Sequence, residues 1–194
     1  MTEFAQISEL VGGKEMALDS SNIGYHRERV EAWARGERVA PIFMDVAWTR
    51  RCQAACNFCY AQAQASEGGD ITREIAFQFL DDCAEIGVRG VSLISDGEST
   101  MVPFFAESVE YGAKLGLQIG TSSNGILLTR PVLEKILPHL SYLRFNFSGG
   151  DKHRWSQIMG LKQPLFDRVV ANIKAAIEIK KRDNLPVNIN LRPP

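Results

Sequence analysis

Trp48-Thr49-Arg50-Arg51-Cys52-Gln53-Ala54-Ala55-Cys56-Asn57-Phe58-Cys59-Tyr60 holds three of the chain's four cysteines, spaced C-x₃-C-x₂-C with an aromatic just before the third. The run follows Ile42-Phe43-Met44-Asp45-Val46-Ala47, a short and largely apolar stretch after Pro41 that reads as a buried strand delivering the chain to a cysteine loop. Three thiolates on one loop can hold three irons of a cubane cluster and leave the fourth iron without a protein ligand. An open coordination position is a place for chemistry. The rival reading is structural zinc, which is ordinarily closed by four ligands, often two separated cysteine pairs. Here there is a triplet with no nearby fourth cysteine, and the closest upstream histidine is His26. The ligand count favours the open iron–sulfur cluster. Cys83 falls on the apolar face of a predicted helix and reads as a small buried hydrophobe.

Outward from the loop, strands and helices alternate. Upstream, Tyr25 to Arg35 reads as a helix stopped by Gly36, within a lead-in over residues 1–40 that precedes the core at 41–194. Downstream, Thr72 is an N-cap for a helix with Ile75, Ala76, Phe79, Leu80, Cys83 and Ile86 at helical spacing, closed by Gly87. Val88–Ile94 reads as a strand, Pro103 to Gly116 as a helix, Leu117–Thr121 as a strand and Val132–Leu137 as a short helix. Tyr142–Phe147 is a fourth strand and Val187–Leu191 a fifth. Between them a long helix turns Phe166, Val169, Val170, Ile173 and Ile177 inward and ends at a solvated Lys180-Lys181-Arg182. Asp151-Lys152-His153-Arg154-Trp155 reads as a polar, solvated turn rather than a place for a catalytic histidine.

This alternation predicts an α/β fold with a parallel sheet, as an open sheet or a barrel. Reactive loops in such folds sit at the C-terminal ends of the strands. The cysteine loop follows the first strand, Ser95-Asp96-Gly97-Glu98 the second, Ser122-Ser123-Asn124-Gly125 the third and Ser148-Gly149-Gly150 the fourth. Each polar turn is ordinary alone; recurring after consecutive strands, they describe one site. The fifth strand has nothing after it to cover it, and an uncovered edge is a liability, so the chain reads as unfinished at its C-terminus.

The totals narrow the function classes. The 194 residues suit one substantial domain, with 45% hydrophobic and 23% charged residues. A net charge of −1 gives no bias toward nucleic acid or an acidic membrane surface. No run approaches the roughly 18 apolar residues of a spanning helix, and Met1 to Met16 lacks the layout of a signal peptide. Clustered cysteines with one left over do not form a disulfide framework, which points to a reducing cytoplasm.

Taken together, Cys52-x₃-Cys56-x-Phe58-Cys59, Asp96-Gly97-Glu98, Ser122-Ser123-Asn124-Gly125 and Phe145-Asn146-Phe147-Ser148 resemble the motifs of the radical S-adenosylmethionine (radical SAM) enzymes, in the branch related to the molybdenum-cofactor biosynthesis enzyme. The resemblance runs over about residues 23 to 191. It implies a partial (β/α)₆ TIM-like barrel, with five strands visible where the family has six, and a partner chain or second copy completing the barrel if the chain is not a fragment. It implies two cofactors: a [4Fe–4S] cluster on Cys52, Cys56 and Cys59, and SAM on the unique iron. A reductant such as flavodoxin or ferredoxin would supply one electron. SAM would then be cleaved to a 5′-deoxyadenosyl radical that abstracts hydrogen from a small-molecule or biosynthetic-intermediate substrate. By motif matching, Phe58 would lie against the adenine, Gly97 would admit the methionine end and Glu98 would accept from its ammonium. Ser123 and Asn124 would face the methionine and ribose, and Ser148 the ribose or carboxylate. Asp96 stands where the family has a glycine, which adds a side chain at the amino-acid end of SAM. With only Cys83 left over, auxiliary clusters have no ligands in this chain. Two other classes remain: a non-catalytic iron–sulfur or SAM-binding module for electron transfer or sensing, and a zinc-stabilised α/β binding domain.

Overall fold

A computed structural model of the protein describes residues 26–63, 69–94 and 96–192. Met1 to Met16, Tyr25 and Ser95, all used in the sequence reading, lie outside the described residues.

The elements run α1 (Arg27–Ala34), β1 (Phe43–Asp45), α2 (Arg73–Glu85), β2 (Gly90–Leu93), α3 (Phe105–Lys114), β3 (Gln118–Ser123), α4 (Arg130–Ile136), β4 (Leu140–Asn146), α5 (Lys152–Met159), α6 (Pro164–Arg182) and β5 (Asn188–Arg192). The five strands form one parallel sheet in the order β1-β2-β3-β4-β5. Strictly sequential order without a reversal is the winding of a barrel rather than of a doubly wound sheet. That resolves the alternative the sequence left open, and the fold is α/β with the strands of a TIM-like barrel.

The register divides the sheet into two faces. Val91 pairs with Ile119, Thr121 with Leu143 and Leu143 with Ile189. Because neighbouring residues of a strand point to opposite faces, these form one apolar face. The helices lie on it: Gly112 of α3 packs on the Ile119 side chain, and Val169 of α6 meets Phe145 at Gly125. The opposite face carries Asp45, Ser92, Gly120, Ser122, Tyr142, Arg144, Asn146, Asn188 and Asn190. One face builds the core and the other is polar. Among the described residues β1 and β5 are the sheet's edges, and Leu191 on β5 is 50% exposed.

Two differences from the sequence reading have physical causes. Ile75, Ile86 and Ile177 are exposed although their spacing placed them inward; Ile75 and Ile86 sit at opposite ends of α2, where the 3.6-residue stripe has drifted off the core line. The segment after Asp151 is a helix and not a solvated turn. Asp151 caps it by accepting from the Arg154 N–H, and Gly160 ends it in a left-handed conformation. Trp155 within it is fully buried. No helix among the described residues is long and apolar enough to cross a membrane.

Candidate functional site

β1 leads into the cysteine loop through a fully buried Trp48, whose indole N–H donates to Ser108 Oγ at 3.0 Å. Thr49 then turns the chain: its hydroxyl accepts from the Arg51 N–H and donates to Asp70. Asp70 in turn accepts from Arg51, and the Arg51 guanidinium beside it holds its carboxyl below the usual range. The loop therefore leaves the strand through a braced turn.

Two other segments hold the loop. On one side the Glu98 N–H donates to the Arg51 carbonyl at 2.8 Å. Gly97 before it lies so close to the loop backbone that a Cβ there would sit 2.7 Å from the Arg50 carbonyl carbon. Its φ of +74° adds a second reason for glycine. On the other side, the Ala55 and Asn57 N–H groups donate to the carbonyls of Met159 and Ile158 at 3.1 and 3.0 Å. These are carbonyls of the last turn of α5, which have no partner within the helix. Gly160 there packs against Ala55, and the Met159 sulfur lies 3.8 Å from Cys56 Sγ.

The three thiols feel one another electrostatically. Burial pushes the Cys56 thiol up to about 11, with Cys52 and Cys59 adding to the rise. Burial also raises Cys52, while hydrogen bonds from the Ala54 backbone and from Asn124 pull it back. Such protons must leave when a metal binds. Among the described residues, no three His, Cys, Asp or Glu side chains are gathered closely enough to form a ready metal cage. The triplet nevertheless offers three soft donors on one short, anchored loop.

Glu98 is the most informative side chain of the site. It is 3% exposed and, among the described residues, forms no ion pair. Its Oε1 accepts from Thr100 Oγ1 at 2.6 Å and from the Thr100 N–H, and its Oε2 accepts from the Asn124 N–H at 2.8 Å. Burial raises its pKa, and the donors from Thr100, Asn124 and Ser123 oppose the rise. A buried carboxylate surrounded by neutral donors lacks a cation, so an ammonium group is the ligand chemistry it fits.

Asn124 joins Glu98 to the cysteines. Its side-chain oxygen accepts from the Ile126 N–H and from Gln53 Nε2, while its Nδ2 lies 3.9 Å from Cys52 Sγ. Gln53 Oε1 is buried without a hydrogen-bond partner among the described residues, a further acceptor on the side chain that donates to Asn124. Ser123 Oγ accepts from the Gly125 N–H at 3.0 Å, inside the turn that presents Asn124. Asp96 faces the Arg50 guanidinium at 3.6 Å. Thus Cys52, Gly97, Glu98, Ser123 and Asn124 form one connected network around the cysteine loop, with Asp96 at its margin. Phe58 is 51% exposed on the loop, and Ser148 is buried where β4 ends, before Gly149.

Sequence reasoning missed Thr100, Gln53, Met159 and Gly160. Thr100, two residues after Glu98, carried the signal of a local side-chain turn. Asp151 and Gly160 carried the start and stop signals of a helix. Gln53 and Met159 gave no signal, because their partners lie far away in the chain.

The family model of the Radical SAM superfamily matches residues 46–192. The AdoMet-dependent heme synthase of Methanosarcina barkeri is 28% identical over 75% of this chain and 41% of its own length. The Fe-coproporphyrin III synthase of the same organism is 35% identical over 54% of this chain and 27% of its own length. Streptococcus suis SuiB bound to S-adenosylmethionine superposes with a TM-score of 0.64 at 16% identity, over 96% of this chain and 43% of that one. The chain spans less than half the length of these relatives.

Proposed function

This chain belongs to the radical SAM superfamily, and from that premise we propose that it carries the cluster- and SAM-binding site of an enzyme that cleaves SAM reductively and takes hydrogen from a substrate. The single observation that carries the reading is Glu98. A buried carboxylate with no cation among the described residues, tied through Asn124 to a thiol of an anchored cysteine triplet, suits a ligand with an amino group next to a metal.

In this reading Cys52, Cys56 and Cys59 would hold a [4Fe–4S] cluster with one iron left for SAM. Glu98 would accept an N–H from the SAM amino group, with Gln53 and Asn124 beside it. Ser123 would keep the Asn124 turn in place. Gly97 would let the Glu98 segment close on the cysteine loop, and Asp96 would hold Arg50 at its rim. Phe58 would cover the adenine, and Ser148 would meet the ribose or carboxylate. When bound, the two cofactors supply the one-electron chemistry and the hydrogen abstraction; the protein's own residues bind, orient and exclude water. The electron would come from a small redox protein of the flavodoxin or ferredoxin type. Four free thiols suit a reducing cytoplasm.

Anaerobic reconstitution with iron and sulfide, followed by SAM and dithionite, tests the reading through release of 5′-deoxyadenosine. Product supports the enzyme. A brown protein that releases none supports an electron-transfer or sensing module, and a colourless protein with one bound zinc defeats the proposal.

A further inference from the structure

The polar face of the sheet carries a set of hydrogen-bond donors that none of the roles above uses. Arg144 on β4 points away from the helices, since its neighbours Leu143 and Phe145 are fully buried on the helix side. Its Nε donates to Ser122 Oγ at 3.1 Å. That hydroxyl gives its one proton to Asn146 Oδ1 at 3.2 Å. Ser122 is thus used as acceptor and donor, and the Asn146 oxygen is occupied. Left over are the Asn146 amide N–H₂ and both terminal nitrogens of the guanidinium, which make no hydrogen bond or ion pair among the described residues. The chain Arg144–Ser122–Asn146 fixes the planar guanidinium fork against rotation while leaving its outer edge open. Every free group at that edge is a donor, and the net charge there is positive. Asn190 of β5 pairs in register with Arg144 and extends the polar face.

The place is as informative as the chemistry. Ser122 lies two residues before Asn124, whose amide touches Cys52, so Ser122 and its register partner Arg144 sit roughly 7 Å along the sheet from the cysteine site at ~3.3 Å per residue, with Asn146 nearer to it. It lies on the face opposite the helices, where a barrel encloses its ligand.

Resting on the reading of the site as one that takes SAM, we infer that Arg144, with Asn146, is the anchor for a carboxylate group of the substrate. A carboxylate is planar, carries one negative charge and matches the bidentate edge of a guanidinium. Held there, the substrate would present its reacting carbon toward the strand ends that carry Glu98 and Asn124. Arg144 is then a determinant of specificity, which excludes purely apolar and cationic substrates.

The test uses the iron-loaded, SAM-bound 194-residue chain, with succinate and inorganic phosphate as probes in chloride-free buffer, followed by isothermal titration. Equilibrium dialysis measures SAM affinity on the same samples. The expected result is saturable succinate binding in the wild type. It should fall at least tenfold in Arg144→Gln, fall severalfold in Asn146→Leu and be partly kept in Arg144→Lys, while SAM affinity stays within twofold. Equal succinate binding by wild type and Arg144→Gln, or none in the wild type, overturns the inference. So does preference for phosphate over succinate. A tenfold loss of SAM affinity in Arg144→Gln overturns it too, since the guanidinium would then serve the SAM carboxylate. Arg144-dependent succinate binding in a protein that takes no SAM would defeat the reading of the cofactor site and keep the anion anchor, so the two failures are distinguishable.

Discussion

Gly97 and Gly160 press on the same loop from two sides, and the two contacts were reached in different ways. Gly97 touches the backbone at Thr49 to Arg51, ahead of the first cysteine, and Gly160 touches Ala55, just before the second. Both have positive φ, and both are followed or preceded by a residue of consequence: Glu98 in one case, Met159 beside Cys56 in the other. In the proposed site the Gly97 side would also act on the ligand, because its neighbour is the buried carboxylate. The Gly160 side acts on the loop alone, through two backbone hydrogen bonds at 3.1 and 3.0 Å and a sulfur contact. The difference teaches that the cysteine loop is held by two brackets, of which one carries the buried carboxylate proposed to bind and the other meets the loop alone.

Substitutions can separate the brackets. Gly97→Ala is expected to have the largest effect. A Cβ would collide with backbone atoms of three successive loop residues, none of which is a flexible side-chain end, on top of about 1–2 kcal/mol for a left-handed non-glycine residue. Iron content and SAM binding should both be lost, read by iron analysis and equilibrium dialysis. Gly160→Ala should lower iron retention severalfold while the iron-loaded fraction keeps SAM affinity within about threefold. Equal loss of both in Gly160→Ala would erase the distinction.

Glu98→Gln sharpens the comparison from the other direction. Both carboxylate oxygens accept from backbone N–H groups, of Thr100 and Asn124, so an amide nitrogen at either place meets a donor. The variant should lose about 1–3 kcal/mol of stability, the usual cost of an unsatisfied buried group. SAM affinity should drop about tenfold with iron content unchanged. Unchanged SAM affinity would remove Glu98 from the cofactor site.

The smallest effect is in the pH dependence of the metal-free protein. With its thiol raised to about 11 from an ordinary 9, Cys56 binds its proton more tightly in the folded state than in the unfolded chain. Its contribution to stability is therefore complete below about pH 9 and fades as pH rises toward about 11. Melting curves across that window should show a gradual decline that is absent once iron has displaced the proton.

The same contrast shows what the sequence could reveal. The strands, the long helices, the cysteine loop and the polar turns after β2, β3 and β4 were legible because each is a local pattern: an apolar run, a 3.6-residue stripe, a cap, a spacing. Glu98 and Asn124 could be singled out because they belong to such turns, and the structure brings both beside the cysteine loop. The contact of Met159 with Cys56 spans about a hundred positions of sequence, and no local pattern encodes it. Helix α5 had both caps in the sequence, Asp151 and Gly160, yet Lys152, His153 and Arg154 masked a short helix whose buried Trp155 is its principal core anchor. Arg144 was hidden for a related reason. Its partner Ser122 is defined only by the β3–β4 register, which depends on a shift at Ile119 that no sequence rule supplies.

The central claim is that the triplet holds a cluster with one open iron and that the amino group of SAM, an ammonium when free and a neutral amine once it ligates, occupies it while donating an N–H to Glu98. Electron–nuclear double resonance on the reduced, reconstituted protein with ¹⁵N-amino-labelled SAM tests this most directly. The account predicts a ¹⁵N coupling to the cluster that appears on adding SAM and is weakened or lost in Glu98→Gln. A cluster spectrum unchanged by labelled SAM, or a protein that takes up one zinc and no iron, would contradict it.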